Sequence, residues 1–311
     1  MDNKGAVAVI NEVRKSVIGK DVCVIKVMAA ILAGGHILIE DIPGVGKTTM
    51  ANAFSKAMEM SQHRVQFTPD VMPADITGFT MYDAASGKFV YREGAAMCNL
   101  FLADEINRTS PKTQSALLQV MEESKVTVDG EDHLVPDPFV VIATQNPIGS
   151  AGTQRLPMSQ LDRFMICISM GYPDIQDEIE IVKGKVQPRE NVTVISQNEL
   201  LRMKAEVNGM FIHDALYQYI GRLIQATRES DLLDLGVSPR GTIAFTRMCK
   251  AMAYLKGRDY VLPDDIAGIF PDCIAHRLVL SKKARISGIT ADEICQNILA
   301  QVKKPVLTKK N

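Results

Sequence analysis

At 311 residues the chain has room for two domains, and its 46% hydrophobic and 23% charged residues are the composition of a folded globular protein, not of a disordered, collagen-like or rod-like one. The 35 basic and 36 acidic side chains leave a formal charge of −1, which argues against a dedicated nucleic-acid binder. Six widely spaced cysteines, with no C-x-x-C pair and no histidine at metal-ligand spacing, read as reduced core thiols of a cytoplasmic protein. The opening residues lack the apolar stretch of a signal peptide, and the longest apolar runs fall well short of the roughly 20 residues that span a bilayer.

In chain order, helical spacing of apolar residues from Ala6 to Leu32, broken near Ile18-Gly19-Lys20, predicts two helices that lead into a first strand. Short, continuous apolar runs at His36–Glu40, Asn99–Asp104, Phe139–Thr144 and Met165–Met170 have the character of strands buried on both faces, with a weaker one at Arg64–Phe67. Helices are predicted over Lys47–Glu59 and Pro111–Glu123, the latter with Ser110 as N-cap and Pro111 at the first helical position. This alternation implies an α/β core with a mostly parallel sheet. Two segments interrupt it: Thr68–Cys98, with β-like pieces around Phe79–Tyr82 and Lys88–Tyr91, and a hairpin over Lys125–Val135. After Gly171 the strand signals fade and amphipathic helices follow, with capping boxes at Ser196…Glu199 and Thr290…Glu293. The expected division is a nucleotide-binding core with N-terminal helices over residues 1–171 and a helical lid over 172–311, the last nine residues being a frayed tail.

The first strand runs into I-E-D-I-P-G-V-G-K-T-T, which fits the phosphate-binding pattern G-x-x-x-x-G-K-[ST] at every fixed position but the first, where Asp41 stands. Pro43, Gly44, Val45, Gly46, Lys47, Thr48 and Thr49 are expected to wrap the phosphates of a nucleotide, because backbone N–H groups and a helix N-terminus attract anions. Lys47 would reach the β/γ-phosphates and Thr48 a Mg²⁺ ion. The Asp41 carboxylate near a triphosphate should cost affinity unless it turns away. The strand N-L-F-L-A-D-E ends in two carboxylates, of which Asp104 suits the Mg²⁺ and Glu105 the polarisation of an attacking water. The third buried strand ends in Gln145 and Asn146, where Asn146 could hold that water or a phosphate oxygen.

These motifs, with D-E-I-N-R-T-S-P-K-T-Q-S-A-L-L-Q-V-M-E-E at 104–123, A-T-Q-N-P at 143–147 and L-P-M-S-Q-L-D-R-F at 156–164, resemble the MoxR family of AAA+ ATPases. The resemblance continues in V-S-P-R-G-T and G-R-D-Y-V-L-P-D-D-I and covers roughly two thirds of the chain. It implies a P-loop NTPase core with a helix-2 insert at Thr68–Cys98, a smaller all-α lid, and hydrolysis of Mg·ATP. It also implies sensor 1 at Asn146, an arginine finger at Arg163 that completes a neighbouring subunit's site, and sensor 2 at Arg240. Partners implied are copies of the chain in a ring, most naturally a hexamer, and client or adaptor proteins with von Willebrand factor A domains, which are remodelled, assembled or loaded with metal. A DNA-associated motor or replication switch, and a nucleotide-dependent scaffold without useful turnover, are the alternatives. Met72, Met81 and Met97 of the insert could touch a client, with core filling as the ordinary role for each. Arg108 and Arg155 read as ordinary surface charges that could lie near a subunit boundary.

Overall fold

The computed structural model describes residues 2–41, 44–146, 156–172, 174–183 and 191–306. Helices α1 (Lys4–Arg14) and α2 (Asp21–Leu32) precede β1 (Ile37–Glu40), α3 (Lys47–Ala57) and β2 (Gln62–Gln66). The first insert holds α4 (Pro73–Thr77), β3 (Gly78–Asp83) and β4 (Lys88–Glu93), and then come β5 (Leu100–Asp104) and α5 (Pro111–Glu123). The second insert is the hairpin β6 (Lys125–Val128) and β7 (Glu131–Leu134), followed by β8 (Val140–Gln145), α6 (Met158–Leu161), β9 (Ile166–Ile168) and α7 (Ile175–Val182). Beyond residue 191 lie α8 (Gln197–Asn208), α9 (Asp214–Arg228), β10 (Leu233–Leu235), α10 (Pro239–Leu255), α11 (Pro263–Ile274), β11 (Val279–Leu280), α12 (Lys282–Ile286) and α13 (Ala291–Gln301).

The central sheet has five strands in the order β2-β5-β8-β1-β9, and every neighbouring pair is parallel. Side chains alternate between its two faces, as a period of two requires. Ile37, Ile39, Leu100, Leu102, Val140 and Ile142 join one apolar cluster, whereas Leu38, Phe101, Ala103, Val141 and Ala143 join the other. The first cluster takes in Val27 and Ile31 of α2, Met50 and Phe54 of α3, and helices of the C-terminal part such as α10 through Phe245. The second receives Leu117, Leu118 and Met121 of α5. Both faces are therefore covered, which explains the unbroken apolar runs of β5 and β8.

Helix boundaries follow the local chemistry. Ser110 Oγ accepts the Thr113 N–H at 3.3 Å with Pro111 in the first turn of α5, and the capping boxes Ser196–Glu199 and Thr290–Glu293 both form. The C-terminal part is not purely helical: β10 and β11 pair as a short antiparallel ribbon, whose strands are too brief to leave a periodic signal. The two inserts touch through Tyr91 and His133, whose rings stack at 3.8 Å and 9°. Among the described residues no helix is long and apolar enough to cross a membrane, and all six cysteines are free thiols.

Candidate functional site

In an open parallel sheet the ligand crevice lies beyond the carboxyl ends of the strands, where the chain order reverses. Here β1 lies between β8 and β9, and Glu40 stands opposite Gln145 across β1 and β8. The phosphate loop, Asp104-Glu105 and Gln145-Asn146 consequently leave three adjacent strands at one edge. Gly46 closes the loop as the residue that starts α3, with φ of +93°, a left-handed conformation that costs glycine nothing and most residues about 1 kcal/mol or more. Lys47, Thr48 and Thr49 form the first turn of α3, Val45 packs partly against the core, and a Cβ on Gly44 would meet no atom within 4 Å, so the space above the loop is open. Pro43 lies outside the described residues, as do Pro147 and Arg155.

Lys47 is buried, and its ammonium donates to the backbone oxygen of Asp41 at 2.6 Å. Burial pulls its pKa below the ordinary lysine value, opposed by the charges of Asp41, Asp104 and Glu105. The Asp41 carboxylate is held by the chain that follows β9. Its Oδ2 accepts from Met170 N and Gly171 N, each at 2.6 Å, and from Ser169 Oγ at 3.0 Å. The side chain thus ties the start of the phosphate loop to the end of the last core strand.

Asp104 Oδ1 accepts from Thr144 Oγ1 at 2.9 Å, and Oδ2 takes both Nε and a terminal nitrogen of Arg64 at 2.9 and 2.7 Å. Glu105 adopts φ of +55°, with its N–H held by Thr144 Oγ1 at 2.9 Å. Its Oε1 accepts from Asn146 Nδ2 at 3.0 Å and its Oε2 from Arg108 at 2.7 Å. Burial pushes the Glu105 pKa up, but hydrogen bonds from Arg108 and Asn146, the Arg108 charge and a bond from Gln66 outweigh it, so the carboxyl lies below its ordinary value. Arg108 is exposed, as a surface charge would be, and its ion pair reaches the Glu105 carboxylate. Thr144 and Arg64 were not singled out by the sequence reading: the first shows as a lone hydroxyl closing an apolar strand, and the second sits in a weak edge strand that carries no motif. The run that follows Glu105 holds the buried polar residues Asn107, Thr109, Thr113 and Gln114, where Gln114 Nε2 donates to the backbone of Ile106 and Thr109 and Asn107 Nδ2 to that of Asn146.

Arg163 and Arg240 lie elsewhere. Both line a cleft of about 690 Å³ together with His36 and Phe139, which stand at the amino ends of β1 and β8. That cleft is displaced from the phosphate loop by the length of β1, on the order of 15 Å. Both arginines are drawn to one carboxylate: Arg163 reaches Glu122 at 3.1 Å, and Arg240 pairs with the other oxygen of the same side chain.

Residues 36–166 match the model of the ATPase family associated with various cellular activities (AAA), and residues 225–298 match the AAA lid domain. The chain is 37% identical to chaperone MoxR1 of Mycobacterium tuberculosis, covering 94% of this chain and 81% of that protein. The chain belongs to the MoxR family of AAA+ ATPases. It is also 45% identical to the uncharacterized protein YeaC of Bacillus subtilis, over 96% of this chain and 94% of the relative. A crystal structure from Cytophaga hutchinsonii, of a protein provisionally described as an ATPase, superimposes with a TM-score of 0.90 at 37% identity over 98% of this chain and 96% of that one. This MoxR-family chain therefore binds nucleotide and hydrolyses ATP on an AAA+ core with an AAA lid, as its sequence implies.

Proposed function

We propose that ATP is held by the loop around Gly44, Val45, Gly46, Lys47, Thr48 and Thr49, and is cleaved by water that Glu105 polarises. The observation that carries this is the convergence of Lys47, Asp104, Glu105 and Asn146 at the carboxyl edge of three neighbouring strands. Thr48 and Asp104 offer oxygen donors of the kind Mg²⁺ prefers, and a carboxylate retains lone pairs beside its bonds to Thr144 and Arg64, so the donor set fits that ion. When bound, Mg²⁺ supplies neutralising charge to the phosphate oxygens. Lys47 contributes a cation from a buried position, where it is poorly screened. Glu105 is ionised at neutral pH and can accept a proton from water, and Asn146 fixes the direction in which its carboxylate points.

Arg163 and Arg240 act, in this proposal, on the nucleotide of a neighbouring subunit. Their separation from Lys47 within one chain supports it, since a guanidinium at the amino edge of the sheet cannot reach the carboxyl edge of the same sheet. Such an arrangement needs a neighbouring copy, and we take the assembly to be a closed ring, a hexamer in the cytoplasm. Turnover would drive chaperone-like remodelling, assembly or metal loading of client proteins, including those with von Willebrand factor A domains. The first insert has a surface suited to a client: Phe79 and Phe89 are 51% and 75% exposed, and Tyr82 meets Phe89 edge to face at 5.5 Å. Of the methionines noted there, Met72 and Met81 are exposed while Met97 packs against the core. The client reading is tested by affinity capture with Glu105→Gln in the presence of ATP. Remodelling predicts a client retained in ATP and absent in ADP; a ring that captures the same proteins in either nucleotide contradicts it.

A further inference from the structure

Glu122 lies near the end of α5, and its two carboxylate oxygens serve two arginines that come from distant parts of the chain. Oε2 faces Arg163 at 3.1 Å, just before β9, and Oε1 faces Arg240 in the first turn of α10. The bases of the two arginines are joined as well. Asp162 accepts from Ser238 Oγ at 2.8 Å and, on its other oxygen, from Arg277 Nε at 2.8 Å. Ser238 is the N-cap of α10, and Arg277, only 2% exposed, also donates to the backbone oxygens of Asp162, Phe164 and Met165. The segment that carries Arg163 and the helix that carries Arg240 are thus fastened to each other at their roots through Asp162 and at their tips through Glu122.

Two guanidinium groups this close repel one another unless an anion lies between them. One carboxylate between two cations still leaves a net positive charge, and Arg163 Nε is buried without a partner among the described residues. The pair therefore remains fit for a further, stronger anion such as a phosphoryl group. We infer that Glu122 is a positioning residue, which holds Arg163 and Arg240 as a two-armed fork presented to the phosphates in the neighbouring subunit. This inference rests on the reading that both arginines act between subunits.

The test uses the full-length chain with Glu122→Gln, which keeps the shape of the side chain and removes its charge. ATP turnover should fall roughly tenfold, the loss of about one charge-assisted contact in the transition state, while the affinity for fluorescent ADP stays unchanged because the variant's own phosphate loop is intact. Glu122→Asp should restore part of the rate. Mixed with Glu105→Gln, the Glu122→Gln protein should recover activity, since one variant brings the fork and the other the carboxylate. Arg163→Ala runs in parallel. If its mixtures with Glu105→Gln show no recovery, the reading between subunits falls. If they do recover, and Glu122→Gln turns over at or above the parental rate, Glu122 is a mask or a bystander and the inference falls. Should Glu122→Gln lower the melting temperature, a background without either arm decides: positioning predicts Arg163→Ala/Arg240→Ala/Glu122→Gln to be no slower than Arg163→Ala/Arg240→Ala, and a further independent loss overturns it.

Discussion

Asp41 occupies the position where the phosphate-binding pattern carries glycine, and the structure shows what the acid does there. It gathers two backbone N–H groups and a hydroxyl from Ser169–Gly171 onto one oxygen. Asp41→Ala would strand those donors, so stability should fall by about 2 kcal/mol in urea unfolding, whereas a carboxylate that merely lined the loop would leave the midpoint unchanged. His36 makes a second residue-scale prediction. Val141 N–H donates to its Nδ1, so the proton sits on Nε2 and is given to Met121 O at 3.0 Å. Burial pulls its pKa down to about 4 from 6.5. The folded chain then binds fewer protons than the unfolded one between those values, so this contribution is complete above pH 6.5 and is lost as the pH falls towards 4. In His36→Asn the fall in stability over that window should be shallower; an identical slope would contradict the neutral, buried assignment. At this scale, the meeting of Lys47, Asp104, Glu105 and Asn146 at one edge of the sheet was legible because all four stand in motifs at strand ends. Arg64, Thr144 and Glu122 were not, because their partners lie 39 or more residues away in the chain.

Among the elements, β1, β5, β8 and α5 were legible because burial on both faces leaves a continuous apolar run and because Ser110-Pro111 announces a helix start. The last core strand is shorter than its apolar run, Ile166–Ile168 within the expected Met165–Met170, since Arg277 and Asp41 take over the backbone at its two ends. The pairing of β10 with β11 escaped notice because it joins segments far apart in sequence, which no local pattern reports. Helix α10 supplies the element-scale prediction. A Cβ on Gly241 would stand 2.7 Å from Arg277 Cδ and 2.8 Å from Val237 Cγ1, so the glycine admits the buried arginine against the helix. Gly241→Ala should destabilise the fold by about 1–3 kcal/mol through overpacking and slow ATP turnover by displacing Arg277 from Asp162. Unchanged turnover in a destabilised variant would show that the Asp162 junction does not serve the arginines.

For the whole molecule, the separation of charge matters most. One edge of the sheet gathers Lys47 with Asp104 and Glu105, while the opposite edge gathers Arg163 and Arg240 around Glu122. In the proposed reading a single copy carries both halves of the site at opposite edges of the sheet, which would make assembly a requirement of the chemistry and not an accessory to it. In the proposed mechanism Glu105 handles the water while the phosphate loop handles the nucleotide. Glu105→Gln tests it most directly, with ATP affinity and steady-state phosphate release measured on the same protein. The expected result is affinity within about threefold of the parent and turnover lower by about a hundredfold or more, as removal of a general base should give. Parental turnover in that variant, or a loss of turnover that comes with loss of ATP binding, would show that Glu105 is not the group that handles the water.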